Sequence, residues 1–228
     1  MTNEIDVITL FPEMFSPLSE SIIKRAVDND ILKIRLTQLR DFAFDKHRQV
    51  DDSPFGGGSG MVLKPEPMYR AVRHVLNNSQ SPSRRIIITD PSGETFTQAK
   101  AKELAEIDWL IFICGHYEGF DARIYDLADE LISIGDYVLT GGELPAMVII
   151  DAVARMLPNV LGATDSAETD SFFAGMLSYP QYTRPREFEG KVVPEILLSG
   201  NHAEIKKWRQ AQSLEITRRR RPDLLGEN

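Results

Sequence analysis

Residues 133–155, SIGDYVLTGGELPAMVIIDAVAR, constrain the fold more than any other stretch of the chain. An apolar run reaches Leu139, the turn Thr140-Gly141-Gly142-Glu143 follows, and Pro145 opens an apolar helical pattern that ends in Arg155. Proline suits a first helical turn, and glycine lets backbone bend where a side chain could not follow. Strand, glycine turn and proline-led helix in succession describe a tight connection, or a backbone shaped to close around a small ligand. The two common nucleotide fingerprints are excluded. Neither this turn nor the second glycine cluster, Gly56-Gly57-Gly58-Ser59-Gly60, has the G-x-G-x-x-G or the G-x-x-x-x-G-K-[ST] spacing.

The segments before that stretch alternate in type. Glu4–Leu10 reads as a buried strand, and Pro12–Val27 as a helix with Ile22, Ile23, Ala26 and Val27 along one face. Ile31–Leu39 alternates apolar and polar residues as a half-buried strand does. Pro65–Leu76 is expected to be helical, Arg85–Thr89 a strand, Thr97–Ala105 a helix, Trp109–Cys114 a buried strand, Asp121–Ala128 helical and Leu131–Leu139 extended. This order predicts an α/β fold, a mainly parallel sheet covered by helices on both faces. Such sheets bind ligands at the carboxyl ends of their strands. Asp90-Pro91-Ser92-Gly93, Gly115-His116-Tyr117-Glu118-Gly119 and the Gly135–Gly142 turn each follow a strand, so the three loops converge on one composite pocket. The pattern changes near Pro158. Residues 159–171 have no hydrophobic period and read as a linker between a 1–158 domain and a small, mostly helical 172–228 domain, with a helix over Asn201–Ile216 capped by Asn201.

The chain of 228 residues is 42% hydrophobic, enough to fill a core, and no apolar run approaches the ~18 residues of a membrane span. The polar start MTNEID gives no signal peptide, so a soluble, cytoplasmic protein is expected. One cysteine, Cys114, closes a run of apolar residues and reads as a buried, inert thiol; with four scattered histidines it argues against structural zinc. The net charge of −8 is unevenly spread: residues 184–228 carry a local +3 and residues 1–183 carry −11. The basic residues cluster at Lys206, Lys207 and Arg209 and at Arg218–Arg221. They read either as a solvated helix face or as an RNA-contacting tail on an acidic body.

Several segments together resemble the bacterial tRNA (guanine-N1-)-methyltransferase family. They are HYEGFD (116–121), SIGDYVLTGGELPAMVIIDAVAR (133–155), DSF (170–172), YTRP (182–185), FGGGSGMVLKPEP (55–67) and SGNHAEIKKWR (199–209). Their order matches from Ile8 to the basic C-terminus, and the resemblance covers essentially the whole chain. It departs at His116, where the family has Arg, at Phe55 and Ser59 of the glycine loop, and at Asp90 and Ser92.

The resemblance implies a SPOUT fold with a deep trefoil knot, which pattern reading could not reach because threaded chains are almost absent from proteins. It implies S-adenosylmethionine as cofactor, dependence on Mg²⁺ with no ligand set readable, and a homodimer with active sites at the subunit interface. Methylation at N1 of guanosine 37 of tRNA, beside the anticodon, is the implied reaction. Residues 1–158 would be the cofactor-binding catalytic domain and 172–228 the tRNA-binding domain. Asp170 would be the base and Arg155 the positive group near guanine O6. Pro91, Gly93, Gly115, Tyr117, Glu118, Ile134, Gly135, Asp136, Tyr137, Val138, Leu139, Gly141, Gly142 and Pro145 would bind cofactor, and Gly57, Gly58 and Arg184 would bind RNA. Against this stand a SPOUT enzyme acting elsewhere on RNA, a non-catalytic RNA-binding protein with a vestigial pocket, and a dinucleotide-dependent oxidoreductase. The GGGSGM and DSF segments, the pair Asp170 and Arg155, and the missing fingerprint glycines weigh against these three in turn.

Overall fold

The computed structural model describes residues 3–81, 83–162 and 167–226. The chain forms two compact units, Met1–Gly162 and Ala163–Asn228. The first is an α/β unit around a five-stranded sheet: β1 (Asn3–Thr9), β2 (Leu32–Gln38), β5 (Arg84–Thr95), β6 (Trp109–Cys114) and β7 (Glu130–Ser133), with β3 (Asp51–Asp52) and β4 (Val62–Leu63) forming a separate antiparallel pair. The strands lie in the order β2-β1-β6-β5-β7, all parallel. Strand β6 is central and buried along its whole length, which is why its sequence is an unbroken apolar run. Its side chains alternate between two cores. Leu110, Phe112 and Cys114 pack with helices α1 (Ser21–Asp28), α3 (Gln98–Ala105) and α4 (Glu143–Ala154). Trp109, Ile111 and Ile113 pack with α2 (Pro65–Val75) and Ile124. Helices therefore cover both faces, as the alternation requires.

Strand β1 carries a buried polar cluster on its second face. Asp6, fully enclosed, accepts from Arg35 Nε at 3.0 Å, from Trp109 Nε1 at 2.7 Å and from Asn78 Nδ2 at 3.2 Å. Hydrogen bonding to Asp6 raises the Arg35 pKa above its ordinary value, against the opposing effect of burial. A buried carboxylate survives there because every neighbour donates to it.

Four expectations change. The helix expected over Pro12–Val27 divides into a 3₁₀ turn, Pro12–Ser19, and α1, with Glu20 extended between them. Pro17 supplies no N–H and disfavours a helical residue before it. The extended run expected over Leu131–Leu139 stops at Ser133, whose hydroxyl donates to the Gly135 carbonyl at 3.0 Å and accepts from its N–H at 3.2 Å. Helix α4 opens at Glu143, two residues before Pro145. The first unit also runs past residue 158, since Val160 is buried in its core. Residues 163–166 of the expected linker lie outside the described residues.

The second unit holds two short hairpin strands, β8 (Glu187–Phe188) and β9 (Lys191–Val192), and helix α5 (His202–Arg220). Asn201 caps α5 by accepting from Glu204 N–H at 3.3 Å. Leu177 docks on the helix: its N–H donates to Thr217 Oγ1 at 3.0 Å, and its carbonyl accepts from Ser213.

Candidate active site

The arch of β5 at residues 90–93 and the loops after β6 and β7 meet at the carboxyl edge of the sheet. Gly142 N–H donates to the Gly115 carbonyl at 2.8 Å, Thr89 Oγ1 donates to the Gly142 carbonyl at 3.1 Å, and Gly141 pairs with His116 in an isolated bridge. The glycines are required by this crossing. A Cβ on Gly142 would lie 2.3 Å from Thr89 Oγ1 and 2.8 Å from Gly115 N; one on Gly141 would lie 2.4 Å from Glu143 Oε2. Backbone takes the room that side chains would need, and a pocket opens beside it.

Pro91, Gly115, Tyr117, Glu118, Ile134, Gly135, Tyr137, Val138, Leu139, Gly141, Gly142 and Pro145 line this pocket together. Two of the expected cofactor residues do not. Gly93 faces the other way, and a Cβ there would lie 2.4 Å from the Leu131 carbonyl carbon, so this glycine serves the crossing of β5 and β7. Asp136 is exposed beyond the lining. The loop with Gly57 and Gly58 reaches the rim through its neighbours. Glu118 N–H donates to the Met61 carbonyl at 3.0 Å, and a Cβ on Gly60 would meet Glu118 Cγ at 2.4 Å.

A family model described as tRNA (Guanine-1)-methyltransferase TrmD matches residues 3–227. Curated relatives are named tRNA (guanine-N(1)-)-methyltransferase. The chain is 58% identical over 225 residues to one from Geobacillus kaustophilus (98% of this chain, 91% of the relative). It is 57% identical over 224 residues to one from Moorella thermoacetica (97% and 90%). To one from Dehalococcoides mccartyi it is 56% identical over 224 residues (97% and 90%). The chain belongs to the tRNA (guanine-1)-methyltransferase family.

A methyltransferase of this family uses S-adenosylmethionine, and the residues lining the pocket fit that group. Residues 115–117, 134–135 and 137–139 line the space, and the glycines among them let a ligand approach the backbone closely. Among the described residues, His116 Nδ1 is the buried side-chain polar atom with no hydrogen-bond partner, and His116 lines the pocket. Mg²⁺ does not find the same support. Among the described residues no three His, Cys, Asp or Glu side chains group to hold a metal ion. Nor, among them, is any helix long and apolar enough to cross a membrane.

The catalytic pair expected of the family is divided between the units. Arg155 is the C-cap of α4 in the first unit. Asp170 is an exposed turn residue of the second, with its carbonyl accepting from Phe173 N–H at 3.4 Å. Within that unit Asp170 shares a groove with Lys206 and Arg209, and Arg184 lines a second groove with Arg186, Arg209 and His202.

Sequence reading missed two side chains at the site, Tyr125 in the pocket lining and Glu143 just behind it. Glu143, almost fully buried, accepts from Thr9 Oγ1 at 2.7 Å and ties the end of β1 to the glycine turn. Its signal was faint: an acid directly after two glycines at the start of an apolar helix. Tyr125 gave none. Burial, then the charge of Glu143, push the Cys114 thiol well above its ordinary pKa, so it stays protonated and inert.

Proposed function

We propose that the chain uses S-adenosylmethionine to methylate N1 of guanosine 37 of tRNA, next to the anticodon. The observation that carries this reading is the glycine-closed pocket at three strand ends in a chain of the tRNA (guanine-1)-methyltransferase family. Its glycines let a ligand approach the main chain closely, so fixed backbone donors and acceptors take part in recognition.

Guanine N1 carries a proton and attacks poorly until that proton leaves. The reaction therefore needs a base near N1 and a positive group near O6, where negative charge develops. Asp170 takes the proton, and Arg155 faces the developing charge. When bound, S-adenosylmethionine supplies a methyl group on a sulfonium and departs as the neutral thioether. Main-chain groups of Gly115, Tyr117 and Ile134 to Leu139 hold its adenine, ribose and methionine parts. Pro91, Glu118, Gly141, Gly142 and Pro145 complete the wall, with Gly93 and Asp136 supporting the loops. The guanine leaves its stack to reach the site, held by Gly57, Gly58 and Arg184. Lys206, Lys207 and Arg218–Arg221 contact phosphates, which position RNA without reading its sequence.

The same reading assigns the first unit to cofactor binding and catalysis and the second to tRNA binding. It places the enzyme in the cytoplasm with its tRNA. It makes the backbone a SPOUT trefoil knot; the passage of residues 140–142 against Gly115 and Thr89 supports that threading. It makes the enzyme a homodimer with active sites at the interface. Apolar exposure supports this: Val138 is 84% exposed, and Leu144 and Val148, one turn apart on α4, are about half exposed at 47% and 49%. Mg²⁺ dependence completes the reading without an assigned ligand, and no step is routed through it.

The test offers labelled S-adenosylmethionine and Mg²⁺ with two tRNA transcripts, one with guanosine and one with adenosine at position 37. Label on the first alone, with reverse transcription blocked at that nucleotide, is expected. Label on both overturns the position. Label on neither, from folded protein that binds cofactor, overturns the enzyme.

A further inference from the structure

Strand β5 does not run straight into the pocket. Both Thr89 and Glu94 pair with Ile132 of β7, so residues 90–93 arch out of the ladder between them. The arch carries Asp90 into the pocket lining. Its Oδ1 accepts from Ser92 N–H at 2.9 Å and from Ser92 Oγ at 2.6 Å, and its Oδ2 accepts from Tyr125 Oη at 2.8 Å.

All three donors are neutral. They fix the carboxylate in direction without cancelling its charge, and of about four lone-pair sites they leave one open. Burial pushes the Asp90 pKa up, but the hydrogen bonds from Ser92 and Tyr125 outweigh it and hold the group below the usual carboxylate range. The Tyr125 hydroxyl is pushed up to about 12, by burial and then by Asp90, so it remains a donor at neutral pH. The rest of the pocket adds negative charge. Glu118 lines it and Glu143 lies just behind Gly141, while among the described residues no lysine or arginine lines it. Arg40 reaches only the Tyr117 hydroxyl, at 3.4 Å. A fixed, uncompensated carboxylate in a pocket short of cations is complementary to a ligand that brings the positive charge.

We propose that Asp90 is a specificity-determining residue of this pocket, recognising positive charge on the methionine arm of S-adenosylmethionine, with Tyr125 as its positioning residue. The inference rests on the cofactor reading above. That arm carries two positive groups, the α-ammonium and the sulfonium; the adenosine part carries none. A turn-building role alone accounts for the Ser92 contacts, but it needs neither Tyr125 nor a position in the lining.

The test is calorimetric binding of three probes to the full-length protein: S-adenosylmethionine with both charges, S-adenosylhomocysteine with the ammonium only, and 5′-methylthioadenosine with neither. Asp90→Asn keeps an acceptor for Ser92 or Tyr125 and removes the charge. It is expected to weaken S-adenosylmethionine about tenfold or more, the scale of one hydrogen bond to a charged group, and methylthioadenosine less than about twofold. If S-adenosylhomocysteine weakens equally with S-adenosylmethionine, the ammonium is the partner; if it weakens less, the sulfonium is. Tyr125→Phe frees the carboxylate without removing its charge. It is expected to shift the same probes in the same direction by a smaller factor, which keeps the test decisive if the Asn variant folds poorly. Uniform weakening of all three probes, or none, overturns the proposal and leaves the cofactor reading standing. A wild-type protein that binds none of the probes overturns both.

Discussion

In the first unit the shape of the site is set by closely packed main chain. Gly142 has no room for even a methyl group, and the wall from 134 to 139 is a looped backbone held by Ser133 and Gly135. In the second unit the groove around Asp170 is built from side chains, Lys206, Arg209 and His202 among them, on the exposed side of a long helix. The two materials behave differently. Backbone packed to contact tolerates no substitution, because any Cβ displaces another chain segment. Exposed side chains can be exchanged one at a time, with effects confined to what each one touches.

The largest effect that would sharpen this contrast is expected from Gly142→Ala. The added carbon collides with Thr89, Gly115 and Cys114, all of them fixed. Cofactor affinity should fall at least about a hundredfold by calorimetry, the scale of a 1–3 kcal/mol strain added to a lost fit. Binding within a few-fold of wild type would break the claim that backbone makes the wall. Next comes Thr9→Val, which keeps the shape and leaves the buried Glu143 oxygen short of a donor. Loss of about 1–3 kcal/mol in denaturant unfolding is expected, with cofactor affinity falling in parallel. Glu143→Gln in the same assay should lose less, because the amide oxygen still accepts.

The second unit predicts smaller, separable changes. Arg221 is held by Asp223 in a two-point contact and lies over Phe172, whereas Arg219 and Arg220 are exposed at the end of α5. Replacing Arg219 and Arg220 with Gln should weaken tRNA binding and lower its salt slope by about one per lost phosphate contact, with no change in cofactor affinity. An unchanged slope returns the run to a role at the helix C-terminus, where positive charge is favourable anyway. The smallest effect concerns acid. The depressed Asp90 pKa contributes stability that is fully present above its unfolded value, near pH 4, and is lost as pH falls through the lower folded value. Thermal unfolding of wild type and Asp90→Asn should therefore converge as pH falls from the unfolded value through the lower folded one, and parallel curves would contradict the hydrogen-bonded arch.

Much of the first unit was legible because its strands are buried on both faces. Trp109–Cys114 was readable to the residue, since a central parallel strand must be apolar throughout. What escaped was set by contacts distant in sequence. The hydrogen bond between Thr9 and Glu143 spans 134 positions, and no local pattern announces it. The slip that arches residues 90–93 depends on β7 offering Ile132 to two partners, which shows in neither strand alone. Gly93 looked like a ligand glycine because it sits in a site loop; its need is a backbone crossing at Leu131. The break in the Pro12–Val27 helix is local by contrast, since Pro17 lies in the turn that ends before Glu20. Asp170 was reachable only through family resemblance, since an acid before Ser171-Phe172-Phe173 reads first as a helix N-cap.

The central claim is that cofactor binding belongs to the first unit and proton removal to a side chain of the second. The most direct measurement pairs calorimetric binding of S-adenosylmethionine with single-turnover methylation of a guanosine-37 transcript, for wild type and Asp170→Asn. The account predicts cofactor affinity within about twofold and a methyl-transfer rate reduced by about 10²–10⁴, the scale of a lost general base. Transfer at near wild-type rate, or equal loss of binding and transfer, would contradict it.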